Sequence, residues 1–347
     1  MNELVRRFEE FARAFEVSAP LYGELAARVA REPRVLELMS VAPETQRVPV
    51  LLFAAAHHLL LADADHPLTE HYPNLARRVG AGNVGDHFVD FVLTRADPMR
   101  ELLASRSTQT NEIGRCNWFL FPFATLSEEV GPLARIDIGS SAGLTLLSPR
   151  IGYDVRPGGI IGSDSSLVIG CDVRGEPPLP DRVPAVAWSI GIDASPIDVN
   201  DDDEVRWLEA CVWPDQVERF ERLRAAVSLA RAHGVVVEKG DAVDSVEDTV
   251  IRARSHGHPV VTTSWVMNYL TPTRRTEFVD TLDRIGSISD LSWVIAESPK
   301  ETPELPGHAG SDELITVITL VTWRAGHRSA RRLATTHPHG NWVNWGS

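Results

Sequence analysis

Hydrophobic positions in roughly the first 130 residues recur at intervals of three and four without strand-like alternation, which predicts helices. Leu4, Phe8, Phe11 and Phe15 fall on one face of an opening helix. Ser18-Ala19-Pro20 interrupts it, Leu21, Leu25 and Val29 mark the next, and Val50 to Leu61 is apolar nearly all round, as a buried helix would be. From Leu133 the texture changes to short apolar or β-branched runs alternating with amphipathic stretches, the pattern of a parallel sheet covered on both faces. Strands are expected at Ala134 to Ile138, Ala185 to Ile192, Val235 to Glu238, Pro259 to Ser264, Ser292 to Glu297 and Leu314 to Trp323, with a last one within Ser329 to Trp345. Helices are expected at Asp203 to Cys211, Pro214 to His233 and Pro272 to Ile285. The fold class is therefore α/β: a doubly wound, mostly parallel seven-stranded sheet of Rossmann-like type over residues 131–347, behind an N-terminal helical domain of residues 1–130. Because the last two strands follow one another directly, they should form an antiparallel hairpin at the sheet's edge. Proline- and glycine-rich patches at Arg156 to Gly162, Gly175 to Pro184 and Thr302 to Gly310 read as surface loops or a small insertion.

Composition narrows the partners. The chain has 347 residues, 43% hydrophobic and 24% charged, enough for one large core or two modest ones. Its 34 Lys and Arg against 48 Asp and Glu give a formal charge of -14, which repels phosphate backbones and anionic lipid, so neither nucleic acid nor membrane is expected as a partner. No apolar run reaches the roughly 18 residues of a membrane span, and Met1 to Glu10 is charged rather than signal-like, so a cytoplasmic protein is expected. Cys116, Cys171 and Cys211 lack paired C-x-x-C spacing and are read as reduced and structural.

Candidate chemistry concentrates in residues 135–145, Arg-Ile-Asp-Ile-Gly-Ser-Ser-Ala-Gly-Leu-Thr, where a glycine-rich turn follows an apolar strand ending in an acid. Two readings compete. As a cofactor loop, Gly139 and Gly143 let the backbone turn and approach a ligand, with Ser140 and Ser141 between them, and Leu144 to Leu147 opens the packing helix. Asp137 then sits at the carboxyl end of its strand, Asp193 ends the next, suited to grip ribose hydroxyls, and Asp241, followed by Ala242, ends the third, where it can accept from the amine of an adenine. Ser141 and Leu144 replace two glycines of the dinucleotide pattern G-x-G-x-x-G, so a cofactor with a nucleoside and an amino acid but no phosphate fits better. In the other reading Gly139 to Gly143 is the G-x-S-x-G elbow of a serine hydrolase, with Ser141 as nucleophile, Asp241 as acid and His308, His327 or His337 as base. Helices before Leu133, and the lack there of a glycine-rich oxyanion loop, favour the cofactor loop.

This segment resembles the class I S-adenosylmethionine-dependent methyltransferases, whose first motif, an acid then Gly-x-Gly-x-Gly, is matched by Asp137, Gly139, Ser141 and Gly143 with the middle glycine replaced. Over nearly the whole chain the sequence is similar to a bacterial family known as domain of unknown function 2332. The matching stretches are Leu51 to Leu61, Gln109-Thr110-Asn111-Glu112, Ser141 to Leu144, Gly191-Ile192-Asp193, Trp207-Leu208 with Trp213-Pro214, and Gly240-Asp241-Ala242. That family usually continues Ser-Ala-Gly-Leu with Asn, where this chain has Thr145. The resemblance implies a methyltransferase-type sheet binding S-adenosylmethionine through Asp137, Gly139, Ser140, Ser141, Gly143, Asp193, Asp241 and Ala242. It implies methyl transfer to an oxygen or nitrogen of a small-molecule substrate. A non-catalytic ligand-binding or scaffold protein is the alternative.

Further candidates follow from position. Asn111, Glu112 and Arg115 could place a polar substrate, with Glu112 as base; equally, the segment is a helix start capped by Thr110. Ser264, Asn268 and Tyr269 lie where such folds present substrate-facing groups, although Trp265 and Tyr269 read rather as core aromatics. Glu297 is a base or a loop cap. His57 and His58 are adjacent on a helix and point about 100° apart, poor for sharing a metal. Asp201 to Glu204 reads as a solvated helix N-terminus, His337 and His339 as part of a turn, and Trp207, Trp213 and Phe220 as core.

Overall fold

In the computed structural model, which describes residues 2–63, 65–76, 83–162, 164–308 and 315–347, the opening three-and-four spacing becomes α1 (Asn2–Phe15), α2 (Pro20–Val29), α3 (Pro33–Leu38), α4 (Pro49–Ala62), α5 (Val84–Thr94) and α6 (Ala96–Ser105). Leu314, expected to open a strand, and Gly310, expected in a loop, lie outside the described residues. Prolines stand in the first turn of α2, α3 and α4, where a missing N–H costs nothing and the fixed φ suits a helix. These helices belong to a first compact unit, Met1–Asn111 with Val199–Arg224; the second is Glu112–Asp198 with Ala225–Ser347.

The first unit packs around Phe53 of α4, whose ring lies 4.6 Å from Tyr22, 5.7 Å from Phe88 and 6.0 Å from Phe8. Each such burial is worth about 1.5–3 kcal/mol. The later segment adds α8 (Asp202–Ala210), capped by Asp201, whose carboxylate accepts from the N–H groups of Asp203 and Glu204, so the acidic run does open a helix. Trp207 is buried in the same core and donates to Ser107 O at 2.9 Å; Phe220 is buried and Trp213 half-buried. His57 and His58 serve different partners. His57 bonds Ala210 O through Nδ1 and Asn74 Nδ2 through Nε2, and burial pushes its pKa down to about 3. His58 faces Asp203 at 3.2 Å.

The second unit opens with α7 (Asn117–Val130), which packs on β1 (Leu133–Ile138) and β8 (Leu291–Glu297). The remaining strands are β2 (Gly152–Arg156), β3 (Gly159–Ile161), β4 (Val168–Arg174), β5 (Val186–Asp193), β6 (Val237–Lys239), β7 (His258–Ser264), β9 (Thr316–Arg324), β10 (His327–Thr336) and β11 (Trp342–Trp345). They form one sheet in the order β3-β2-β4-β11-β10-β9-β8-β7-β1-β5-β6. The block β8-β7-β1-β5-β6 is parallel. β1 and β8 are buried along their whole length, as strands covered on both faces must be. α10 (Ala242–Ala253) packs over β1, β5 and β7, and α11 (Pro272–Ile288) beside it over β9 and β10. α9 (Val217–His233) precedes β6.

The seven-stranded, doubly wound, mostly parallel sheet is therefore corrected: among the described residues the sheet has eleven strands and is mixed. Parallel winding ends at β8, whose other neighbour, β9, pairs with it antiparallel. The β9-β10 hairpin exists but is not an edge, since β10 pairs with β11, which joins β4, β2 and β3. Those last three strands occupy a region read partly as loop; Pro157, Gly158 and Gly159 turn the tight β2-β3 hairpin, and β4 alternates exposed and buried at every residue. The helix expected after the glycine-rich turn is also replaced, by a single 3₁₀ turn at Leu144–Leu147 ahead of Pro149, which cannot donate an N–H to extend it.

Candidate functional site

Three of the predicted acids stand together in the second unit, at the carboxyl ends of adjacent strands: Asp137 near the end of β1, Asp193 at the end of β5 and Asp241 just after β6. β1 lies between β5 and β7, so the winding of the chain reverses beside it, which in open α/β sheets is the place for a ligand crevice. The turn 139–143 is built from three left-handed residues, Gly139 (φ 70°), Ser141 (φ 51°) and Gly143 (φ 69°). It is pinned by Gly139 N and Ser140 N, which both donate to Ile192 O, and by Gly143 N donating to Ser140 O at 2.7 Å. A Cβ at Gly139 would fall 2.3 Å from Val266 Cγ2, and one at Gly143 would fall 2.6 Å from Val235 Cγ1. Both glycines are thus required by conformation and by packing inside the unit.

The acids differ in what they have left to offer. Asp137 is buried and saturated: Oδ1 accepts from Arg135 Nη2 (2.9 Å) and Thr262 Oγ1 (2.5 Å), and Oδ2 from Ser140 Oγ (3.2 Å) and Thr145 Oγ1 (2.5 Å). Arg135, wholly buried, also donates to Thr262 Oγ1, Thr145 O and Ser148 Oγ, and its guanidinium lies 4.1 Å from the centre of the Phe119 ring of α7. Sequence reasoning passed over Arg135 and Thr262, yet a cation and an acid two apart on one strand share a face, which signals a pair. Asp193 is half-buried; Oδ2 accepts from Ser141 N at 2.7 Å and Oδ1 from Ser195 N at 2.8 Å, leaving lone pairs on both oxygens. Asp241 is exposed and caps α10 ahead of Ala242, accepting from Val243 N and Asp244 N and from Arg274. Partial burial opposes its charge, but the N–H groups of Asp244 and Val243 and the Arg274 guanidinium hold its pKa below the usual carboxylate range.

The substrate-side candidates of this unit gather near the ends of β7 and β8. Glu112 is buried and caps a 3₁₀ turn through Gly114 N (2.9 Å), with His339 Nδ1 3.9 Å from its Oε2. Arg115 donates to Ser264 O (3.4 Å) and Pro338 O (3.3 Å), tying the turn after β10 to the end of β7. Glu297 is buried, accepts from Val266 N at 3.1 Å, and has its pKa raised to about 7 by burial, against the pull of the Val266 and Met267 N–H groups and Arg115. Tyr269, read as a core aromatic, is 80% exposed, standing on a short 3₁₀ turn instead, and Trp265 is half-buried and donates to Thr316 Oγ1. Asn111 is half-buried and closes the first unit's opening segment.

For the hydrolase reading, Asp241 is committed to α10 and Arg274, and buried His308 is bonded through Nδ1 to Thr302. The cysteines are free, and burial pushes their thiols up, Cys171 to about 12 and Cys211 to about 11, which suits inert side chains. No helix among the described residues is long and apolar enough to cross a membrane, and none of their His, Cys, Asp and Glu side chains cluster as a metal site.

Over residues 5–345 the chain matches the model of a family described as an uncharacterized protein conserved in bacteria (DUF2332), and it belongs to that family. No curated protein matches it.

Proposed function

We propose that the chain binds S-adenosylmethionine at the carboxyl ends of β1, β5 and β6 and transfers its methyl group to an oxygen or nitrogen of a small molecule in the cytoplasm. The observation that carries this reading is the row of three acids on adjacent parallel strands beside the left-handed turn. Asp193, with lone pairs to spare, suits the ribose hydroxyls, and exposed Asp241 with Ala242 suits an adenine edge. Ser140, Ser141, Gly139 and Gly143 shape the loop, and Asp137 supports it from within instead of touching ligand. The cofactor supplies a methyl already activated by its sulfonium. Ser264 and Tyr269 orient the acceptor, and buried Glu112 takes its proton where one must leave. Asn111 is retained on sequence alone.

Calorimetry of the full chain with S-adenosylhomocysteine tests the reading. Saturable binding that Asp193→Ala weakens by roughly tenfold or more is expected, because a buried hydrogen bond to a charged group is lost. Folded protein that takes up neither this ligand nor S-adenosylmethionine overturns it. The internal engagement of all three acids favours a second reading, a non-catalytic ligand-binding or scaffold protein. Transfer of tritiated methyl into a metabolite extract separates the two.

A further inference from the structure

Tyr22 on α2 and Tyr72, just after the 3₁₀ turn Pro67–His71, are 1% and 0% exposed, and neither hydroxyl has a hydrogen-bond partner among the described residues. Two other buried oxygens of the first unit are also unpartnered there, Asp215 Oδ2 and Asn74 Oδ1. The Asn74 amide orientation follows from its neighbour: Nδ2 donates to His57 Nε2 at 3.1 Å, while His57 Nδ1 serves Ala210 O.

These groups are close in space although distant in sequence. The rings of His57 and Tyr72 are 5.2 Å apart, and Tyr22 lies 4.6 Å from Phe53 and 5.6 Å from Trp213. Burial raises the pKa of both phenols, and the nearby Asp215 carboxylate raises each further. Folded interiors pair nearly all their buried polar atoms, so four unpaired oxygens in one region mark a place prepared for a polar guest. The chemistry of that guest follows from the inventory. A carboxylate and an amide oxygen can only accept, phenol oxygens can accept as well, and the surrounding rings present faces that attract cations.

We propose that the first unit binds a small organic ammonium ion among Tyr22, Tyr72, Asn74 and Asp215, its N–H groups, three at most, donating to Asp215 and to the neighbouring phenol and amide oxygens and its carbon part resting against Phe53 and Trp213. This site is independent of the methyl-transfer reading and stands if that reading fails.

The test is calorimetry of the full chain with ethanolamine at neutral pH, with ethylene glycol as the uncharged control. Saturable one-to-one binding of ethanolamine alone is expected. Asp215→Asn should weaken it by roughly tenfold or more, and Tyr22→Phe and Tyr72→Phe by several-fold each, since each removes an acceptor for a charged donor. The phenylalanine variants keep the rings, so their melting temperatures without amine should not fall; this distinguishes lost binding from lost folding. An absence of saturable heat, equal uptake of ethylene glycol, or unchanged affinity in all three variants overturns the proposal. So does a crystal grown with ethanolamine in which only water bridges the hydroxyls.

Discussion

The two units each bury a polar centre, and the centres are opposites. In the second, the Arg135 and Asp137 charges are matched donor to acceptor by Thr262, Thr145, Ser140 and Ser148, so the pair serves as a rivet between β1, β7 and the turn that follows β1. In the first, two phenols, an amide and a carboxylate are brought together with oxygens left over. Burial alone therefore does not mark function. The accounting of donors against acceptors does, and it assigns architecture to one centre and recognition to the other.

That contrast can be broken most forcefully at Asp137. Asp137→Ala leaves the Arg135 guanidinium buried without its counter-charge and should cost about 3–5 kcal/mol, read as a lower urea midpoint of the second unit. A change near zero would mean the centre is not a rivet.

Glu297 is an intermediate case, a buried carboxyl held mainly by backbone N–H groups. Its pKa, raised from 4.5 to about 7, means that the folded state prefers the protonated form, so stability falls as pH rises through that window. Glu297→Gln keeps an acceptor for Val266 N and should gain up to about 3 kcal/mol over the parent at pH 8, with no gain below pH 4. Urea midpoints across that pH range check it, and a pH-independent difference would refute the assignment.

Thr262→Val removes a donor to Asp137 and an acceptor for Arg135 and should cost about 1–3 kcal/mol by the same measurement. The smallest effect is expected in the other centre. Without amine, the Tyr22→Phe/Tyr72→Phe double variant should be unchanged or more stable by less than about 1 kcal/mol, because no hydrogen bond to the described residues is lost. A loss of several kcal/mol in a thermal melt would show that the phenols are structurally paired after all.

How much of this was legible in the chain follows the range of the interactions. Helices α1, α2 and α4 and the strands β1, β5, β7 and β8 could be read because their signal is local, a period or an apolar run. α10 is also written in its letters, Val243, Val246, Val250 and Ala253 at helical spacing, and so is β4 in its alternation, although neither is among the expected elements. Sheet order was beyond reach: nothing between Ser148 and Arg174 says that β4 will sit beside β11. The acids at the strand ends were readable as positions, whereas their partners were not. Val266, which answers Glu297, lies 31 residues away, and the groups around Tyr22 come from three separated segments, at His57, at Tyr72 with Asn74, and at Trp213 with Asp215.

The sheet's two rims carry one more consequence. A sheet of eleven strands could expose two long ladders of unpaired peptide groups, yet its outer strands, β3 and β6, are three residues each. One rim is interrupted by a proline-glycine hairpin, and on the other Glu238 pairs with Arg252. Strand-by-strand templating by a second copy, the usual route from a wide sheet to a fibril, therefore finds little to grip, and mutual repulsion from the formal charge of -14 acts in the same direction.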